Sequence, residues 1–126
     1  MKVAVSATGK DLDSLLDPRF GRAEYFLVVD TVTMEVYAID NTASLAAGGA
    51  GIQAAQKVAE EGVESVITGS VGPNAMDVLK AAEIPVFSAP PLPVKDILHQ
   101  FKNKDLPEIT APKPRHYGAR AGRGWQ

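Results

Sequence analysis

The spacing of the hydrophobic residues changes partway along the chain. Three short runs, 2–7, 24–30 and 34–40, consist mainly of the small, β-branched and aromatic residues typical of strands. From residue 50 onward, hydrophobic residues recur at helical spacing in three segments, which are separated by two further strand-like runs. The chain is therefore predicted to form an α/β domain with the element order βββαβαβα.

Each predicted helix carries one apolar stripe that can face a sheet. Gly62 follows the first stripe, at the position where glycine commonly ends a helix. The helices are predicted at 50–61, at 74–82 and in the segment carrying Val94, Ile97, Leu98 and Phe101, with strands at 64–68 and 84–87 between them.

The lengths of the connections predict how the strands are arranged. Residues 31–33 are few enough for a hairpin, so the second and third strands should pair antiparallel. The later strands are joined through helices, and such crossovers are right-handed. The expected result is a mixed sheet with strand order 3-2-1-4-5. In open sheets of this kind, ligands bind beyond the strand C-termini where the winding reverses, here between the first and fourth strands.

The chain length of 126 residues suits one domain, but its charge is unevenly distributed. Residues 113–126 contain four of the thirteen basic residues and none of the fifteen acidic ones. We therefore expect an α/β domain over 1–108 and a disordered basic Arg/Gly tail over 109–126. No apolar run is long enough for a membrane span and no export signal opens the chain, so we expect a cytoplasmic protein without a membrane partner.

Residue types that ligate metals or catalyse reactions are scarce. The chain has no cysteine, and neither His99 nor His116 has a second imidazole at ligand spacing. The acidic residues form no recognisable catalytic group, and the serines and threonines have no identifiable base near them in sequence. We expect no protein-ligated metal and no catalytic residue, and the sequence shows no machinery for hydrolase chemistry.

Two glycine-rich loops, 48–51 and 69–75, lead directly into predicted helices. Glycine lets the backbone approach a ligand closely, and the N–H groups of a helix N-terminus attract anions. Neither loop matches the Walker A or the dinucleotide-binding pattern, so nucleotide binding is not indicated. The alternatives are that 48–51 is a flexible linker and that Asn74 only caps the second helix.

A third loop, 17–23, places Arg19 and Arg22 on either side of Phe20, a combination suited to an anionic, polarisable or planar ligand. Its alternative interpretation is a surface loop with one buried Phe. We expect all three loops to meet the end of the first strand at one sheet edge. The candidate ligand-binding residues are Ser6, Thr8, Arg19, Phe20, Gly21, Arg22, Gly48, Gly49, Ala50, Gly51, Ser70, Gly72, Pro73 and Asn74.

The segments 18–26, 48–51 and 69–75 resemble the signature blocks of the dinitrogenase iron-molybdenum cofactor biosynthesis family, and the similarity covers about residues 1–105. This family includes nitrogenase cofactor carriers, the C-terminal domain of NifB and the orange protein. The resemblance implies a ribonuclease H-like, three-layer α/β fold, which agrees with the strand order expected above.

The same resemblance implies a non-enzymatic protein that binds or carries an anionic metal–sulfur cluster of the iron–molybdenum or molybdenum–copper sulfide type. The cluster would be held non-covalently, because sulfide ligands accept hydrogen bonds from backbone N–H groups and from Arg. The implied partners are this metallocluster and a cofactor-assembly or acceptor protein.

Two other functions stay open on the sequence. One is a nucleic-acid-binding module on a ribonuclease H-like fold, anchored by the basic tail. The absence of a carboxylate cluster argues against two-metal nuclease chemistry. The other is a small regulatory domain that senses an anionic metabolite and acts through a partner protein.

Overall fold

The computed structural model describes residues 1–41 and 48–112. The predicted basic tail lies outside the described residues from 113 onward. Between Phe20 and Arg22 the chain forms a single 3-10 turn. The strands are β1 Lys2–Ala7, β2 Tyr25–Asp30, β3 Val36–Asp40, β4 Ser65–Thr68, β5 Val86–Ser88 and β6 Glu108–Ile109, and the helices are α1 Ala50–Glu60, α2 Pro73–Ala81 and α3 Val94–Lys102.

The sheet has the order β3-β2-β1-β4-β5-β6, which confirms the predicted order of the first five strands. β1 pairs antiparallel with β2 and parallel with β4, and β2 pairs antiparallel with β3. The chain thus winds outward from β1 in both directions, so the switch point lies between β1 and β4, as predicted.

Two differences from the predicted elements have identifiable physical causes. The third strand begins at Val36 rather than residue 34, because Met34 has a φ of 63° and its N–H donates to the Asp30 carbonyl at 2.7 Å to close the turn. The edge strand β6 was not predicted. It is two residues long and pairs antiparallel with β5, with Ile109 opposite Val86, and so short a run shows no periodicity.

Helices cover both faces of the sheet, so the side chains of β1 alternate between two cores. Ala4 packs in the cluster that includes residues of α1 and α2, whereas Val3 and Val5 pack in the cluster that includes residues of α3. All three residues are fully buried. The predicted three-layer α/β architecture is confirmed, and burial on both faces explains the continuous apolar run of β1.

None of the helices in the described parts of the chain is long and apolar enough to cross a membrane.

Candidate functional site

Three segments that lie far apart in sequence enclose a cavity of about 240 Å³ at the switch point. They are the 3-10 turn, the start of α1 and the start of α2, which follows directly after β4. We call this cavity the cradle. It is lined by Phe20, Gly21, Gly49, Ala50, Gly51, Ile52, Gly72, Pro73, Asn74 and Ala75.

Two helix N-termini contribute to the cradle, and both lack the side-chain cap and the acidic residues that usually offset the positive end of a helix. The N-cap residues are Gly49 for α1 and Gly72 for α2, and neither helix has a side-chain cap or an acidic residue in its first turn. The first N–H groups of an α-helix have no acceptor within the helix. Among the described residues, each start therefore presents N–H donors without an acceptor, together with the positive end of a helix dipole, to the cavity.

Asn74 does not cap α2, contrary to the alternative considered from sequence. Pro73 occupies the first helical position, where its missing N–H has no consequence, and Asn74 follows it inside the helix. The backbone amides of Asn74 and Ala75 are then the first two donors of this helix.

The glycines of the three segments differ in what surrounds them. A β-carbon at Gly21 would lie 2.9 Å from both the nitrogen and the Cα of Gly51, and one at Gly51 would lie 3.2 Å from the β-carbon of Ala75. Gly49 has a φ of 74°, a conformation that L side chains rarely adopt. A β-carbon at Gly72 would meet no atom of residues 1–41 or 48–112 within 4 Å. Close packing or backbone conformation thus accounts for the first three glycines, whereas Gly72 borders open space in the cradle.

Backbone hydrogen bonds join the 17–23 loop to the loop after β4. The N–H of Ser70 donates to the Pro18 carbonyl at 2.9 Å, and the N–H of Phe20 donates to the Ser70 carbonyl at 3.4 Å. A β-carbon at Gly69 would lie 2.6 Å from the Cα of Pro18, so only glycine permits this approach. The buried Phe20 ring packs on Phe26 of β2 with a centroid distance of 5.1 Å. These contacts fix the 3-10 turn above the sheet.

Asn41 is a positioning residue that the sequence did not reveal. It is only 4% exposed, and its amide Nδ2 donates to the Ala23 carbonyl at 2.8 Å and to the Gly21 carbonyl at 3.3 Å. Its own N–H donates to the Glu24 carbonyl at 2.9 Å. An Asn directly after a strand is common in loops, so its position alone carried no signal for this role.

Arg19 is held away from the cradle by a buried acid. Its guanidinium contacts both carboxylate oxygens of Asp17, at 3.2 and 3.1 Å, and its backbone N–H donates to the same carboxylate at 2.9 Å. The hydrogen bond and the charge of Asp17, which is 4% exposed, raise the pKa of Arg19 above its usual value. Arg22 is exposed, ends the 3-10 turn and directly follows Gly21.

Ser6 and Thr8 hydrogen-bond to the segment before the 3-10 turn and are not among the described residues that line the cradle. The Ser6 hydroxyl is fully buried, 2.6 Å from the Asp17 carbonyl and 2.7 Å from the Thr68 hydroxyl. The Thr8 hydroxyl donates to the Leu15 carbonyl at 3.3 Å. Both side chains therefore anchor the segment that leads to the 3-10 turn.

The structure brings eight of the fourteen predicted site residues to the cradle, and it adds Ile52 and Ala75, which were not predicted. Both added residues follow a predicted residue by one position, but neither has a polar side chain that would have singled it out. The six predicted residues outside the lining are Ser6, Thr8, Arg19, Arg22, Gly48 and Ser70.

Within residues 1–41 and 48–112, no group of three or more His, Asp or Glu side chains is arranged to hold a metal ion. None of the ten residues that line the cradle has a titratable side chain. The cradle consequently offers hydrogen-bond donors and apolar walls.

This fold and this pocket define a small α/β protein with two uncapped helix starts at its switch point, and sequence comparison gives its family. The profile of the dinitrogenase iron-molybdenum cofactor family matches residues 1–104. The chain belongs to this family, as the motifs at 18–26, 48–51 and 69–75 predicted.

Individual relatives have the same fold and related sequences. The apo form of the orange protein from Desulfovibrio gigas is 41% identical with a TM-score of 0.86, over 90% of this chain and 96% of that one. A Thermotoga protein proposed to be NifB is 36% identical with a TM-score of 0.80, over 91% of this chain and 98% of its own. An uncharacterised protein of Methanocaldococcus jannaschii is 33% identical over 89 residues, 68% of this chain and 75% of the relative.

Proposed function

We propose that this protein is a non-enzymatic carrier that holds an anionic metal–sulfur cluster in the cradle. The cargo is of the molybdenum–sulfur type, either iron–molybdenum or molybdenum–copper sulfide. The observation that carries the proposal is the convergence of the uncapped, acid-free starts of α1 and α2 on one cavity. Family membership and the similarity to the orange protein and to the proposed NifB protein support a role connected with a metallocluster.

The donor set of the cradle fits such a cargo. Sulfide ligands carry negative charge and accept hydrogen bonds, and the first-turn amides of α1 and α2 are donors without an intrahelical acceptor. The chain has no cysteine, so no thiolate of its own can bond to the metal. The open space at Gly72 leaves room for a ligand beside the α2 amides. Contact through amides leaves the cluster free to pass to an acceptor protein.

The lining of the cradle supports carriage rather than catalysis. General acid–base and nucleophilic catalysis need a titratable or nucleophilic side chain at the reacting atoms. The lining residues supply glycine and alanine backbone, apolar side chains and the amide of Asn74 instead. Such a site can bind and release an anion without changing it.

Anaerobic titration of the full chain with tetrathiomolybdate, with and without copper(I), tests the proposal. We expect a saturable change in charge-transfer absorption, and we expect molybdenum to stay with the protein through desalting. Gly72→Asp should abolish both results, whereas Gly72→Ala, which adds a β-carbon but no acceptor, should weaken binding less. Inorganic phosphate serves as a competitor of similar charge.

Three outcomes would contradict the carrier role. The first is the absence of retained metal and of any spectral change. The second is displacement of tetrathiomolybdate by equimolar phosphate, which would favour a sensor of anionic metabolites. The third is salt-sensitive retention of RNA or DNA without retention of thiometallate, which would favour the nucleic-acid alternative.

A further inference from the structure

A second and larger cavity, of about 750 Å³, lies at the opposite edge of the sheet from the cradle. The cradle is formed by segments that follow β1, β3 and β4, whereas this cavity is bordered by Met1, before β1, and by Ser65, at the start of β4. We call it the distal groove. The turn after β2, the start of β5 and the end of α3 form its walls. Its volume lies in the range of small-molecule sites.

The walls of the distal groove are largely apolar. Phe87 of β5 and Phe101 of α3 meet edge to face with a centroid distance of 5.2 Å, and both are only partly buried. Leu106, which packs against the same core cluster, and Val32, with 80% of its surface exposed, also line the groove. An aliphatic side chain this exposed next to an open aromatic pair provides apolar surface for a ligand.

The charges on the distal groove have one sign. Lys102 and Lys104 line it, and none of its lining residues in the described part of the chain is acidic. Three acids are adjacent in sequence to lining residues: Asp30 and Glu64 accept hydrogen bonds from other groups, and the exposed Asp105 follows Lys104 without itself lining the groove. Asp30 accepts the N–H groups of the turn after β2, and Glu64 accepts the N–H of Lys2 at 3.1 Å. The groove is thus complementary to a ligand with an apolar body and a negative group.

Lys104 occupies a position where glycine would be the easier choice. It follows the C-cap Asn103 with a φ of 62°, its N–H donates to the Phe101 carbonyl at 3.0 Å, and the next N–H donates to the Gln100 carbonyl at 2.9 Å. This is the Schellman pattern, whose left-handed residue is usually Gly. The turn geometry itself therefore does not require lysine here.

We propose that the distal groove binds a free single-chain carboxylate, with the chain against the Phe87–Phe101 pair and the carboxylate at Lys102 and Lys104. The charge complementarity and the open aromatic wall carry this assignment. It is independent of the cargo in the cradle, since the two cavities lie at opposite edges of the sheet.

Calorimetric titration of the full chain with decanoate, and separately with decyltrimethylammonium, tests this assignment. The two probes share an apolar chain and carry opposite charges. Decanoate should bind at least about threefold more tightly, the scale of an exposed ion contact. Decanoate should shift the amide resonances of Phe87 and Lys104 and leave those of Gly49 and Gly72 unchanged.

Variants test the contribution of charge to decanoate binding separately from the stability of the fold. Lys104→Gly keeps the turn and removes the cation, so decanoate affinity should fall about threefold while thermal stability is retained or raised. Val32→Glu should weaken decanoate further by placing an acid at the rim, whereas Leu15→Glu, at another exposed hydrophobic residue that lies outside the groove lining, should not.

Equal affinity for the two probes, unchanged decanoate binding in Lys104→Gly, or shifts at the cradle amides would each overturn the assignment. Sedimentation with anionic vesicles without decanoate binding would also overturn it, because the partner would then be a membrane surface. If the protein forms a dimer that does not bind decanoate and that Val32→Glu dissociates, the occupant of the groove would be a second copy of the chain and not a carboxylate.

Discussion

Gly21 lies so close to Gly51 that a β-carbon on Gly21 would come within 2.9 Å of the backbone of Gly51. The 3-10 turn thereby rests directly on the first turn of α1. Two glycines distant in sequence thus set the width of the cradle, because one belongs to each wall.

Gly21→Ala should displace the turn from α1. Overpacking of this kind costs about 1–3 kcal/mol, so the free energy of unfolding in urea should fall by that amount. Retention of thiometallate should fall with it. Gly48→Ala is the matched control, since a β-carbon there meets none of the described residues within 4 Å and Gly48 is not among the described residues that line the cradle. Equal stability of the two variants would show that the backbone around Gly21 and Gly51 can move apart without a loss of stability.

Asn41→Ala should loosen the same turn from its other side. The carbonyls of Gly21 and Ala23 would lose their amide donor, and an unsatisfied buried acceptor costs about 1–3 kcal/mol. Urea unfolding measures this loss. Asn103→Ala, which removes an exposed amide near His99, should change stability much less. A similar loss in both variants would mean that Asn41 has no special positioning role.

Arg22→Ala should weaken thiometallate binding, because it removes a cation one residue from Gly21. Arg22→Lys keeps the charge and should retain most of the affinity. Arg19→Ala should have little effect, since the Asp17 carboxylate holds the Arg19 guanidinium at 3.1 Å. Absorption titration of the three variants measures these affinities. Unchanged affinity in Arg22→Ala, or equal losses in Arg22→Ala and Arg22→Lys, would contradict a role for the charge of Arg22.

The turn between β2 and β3 should make stability depend on acid pH. The N–H groups of Val32 and then Thr33 hydrogen-bond to the Asp30 carboxylate and lower its pKa. The carboxylate therefore stabilises the fold above the unfolded pKa of about 4, and that contribution is lost as the pH falls through the lower folded pKa. Asp30→Asn removes the titration, so its urea midpoint should fall less steeply below about pH 4. If the urea midpoints of Asp30→Asn and of the unchanged protein vary with pH in the same way, Asp30 does not cause the acid sensitivity.

Sequence patterns predicted the strand order because each connection allowed few choices. The 31–33 turn favoured a hairpin, and the helical segments required crossovers, which left β1 at the centre of the sheet. β6 could not be predicted in the same way, since its pairing with β5 depends on contacts between Glu108–Ile109 and residues some twenty positions earlier.

The sequence predicted the parts of the candidate site that backbone groups form. It did not predict which side chains pair with one another. The glycine loops at 48–51 and 69–75 indicated free helix starts, and the structure places both helix starts at the cradle. Arg19 and Arg22 looked equivalent in sequence, but Asp17 is buried two residues before Arg19 and binds it. Burial of one acid in a loop has no periodic signature, and neither does the contact of Asn41 with the turn.

The most direct test of the central claim is Gly72→Asp, measured for stability and for thiometallate binding on the same preparation. Gly72 is an N-cap with extended backbone and open space around it, so Asp can accept the first-turn N–H groups of α2 and oppose the helix dipole. We predict that the free energy of unfolding rises by about 0.5–1 kcal/mol while retention of tetrathiomolybdate is lost. A Gly72→Asp variant that is as stable as expected and still retains the thiometallate would contradict the proposal that these amides hold the cargo.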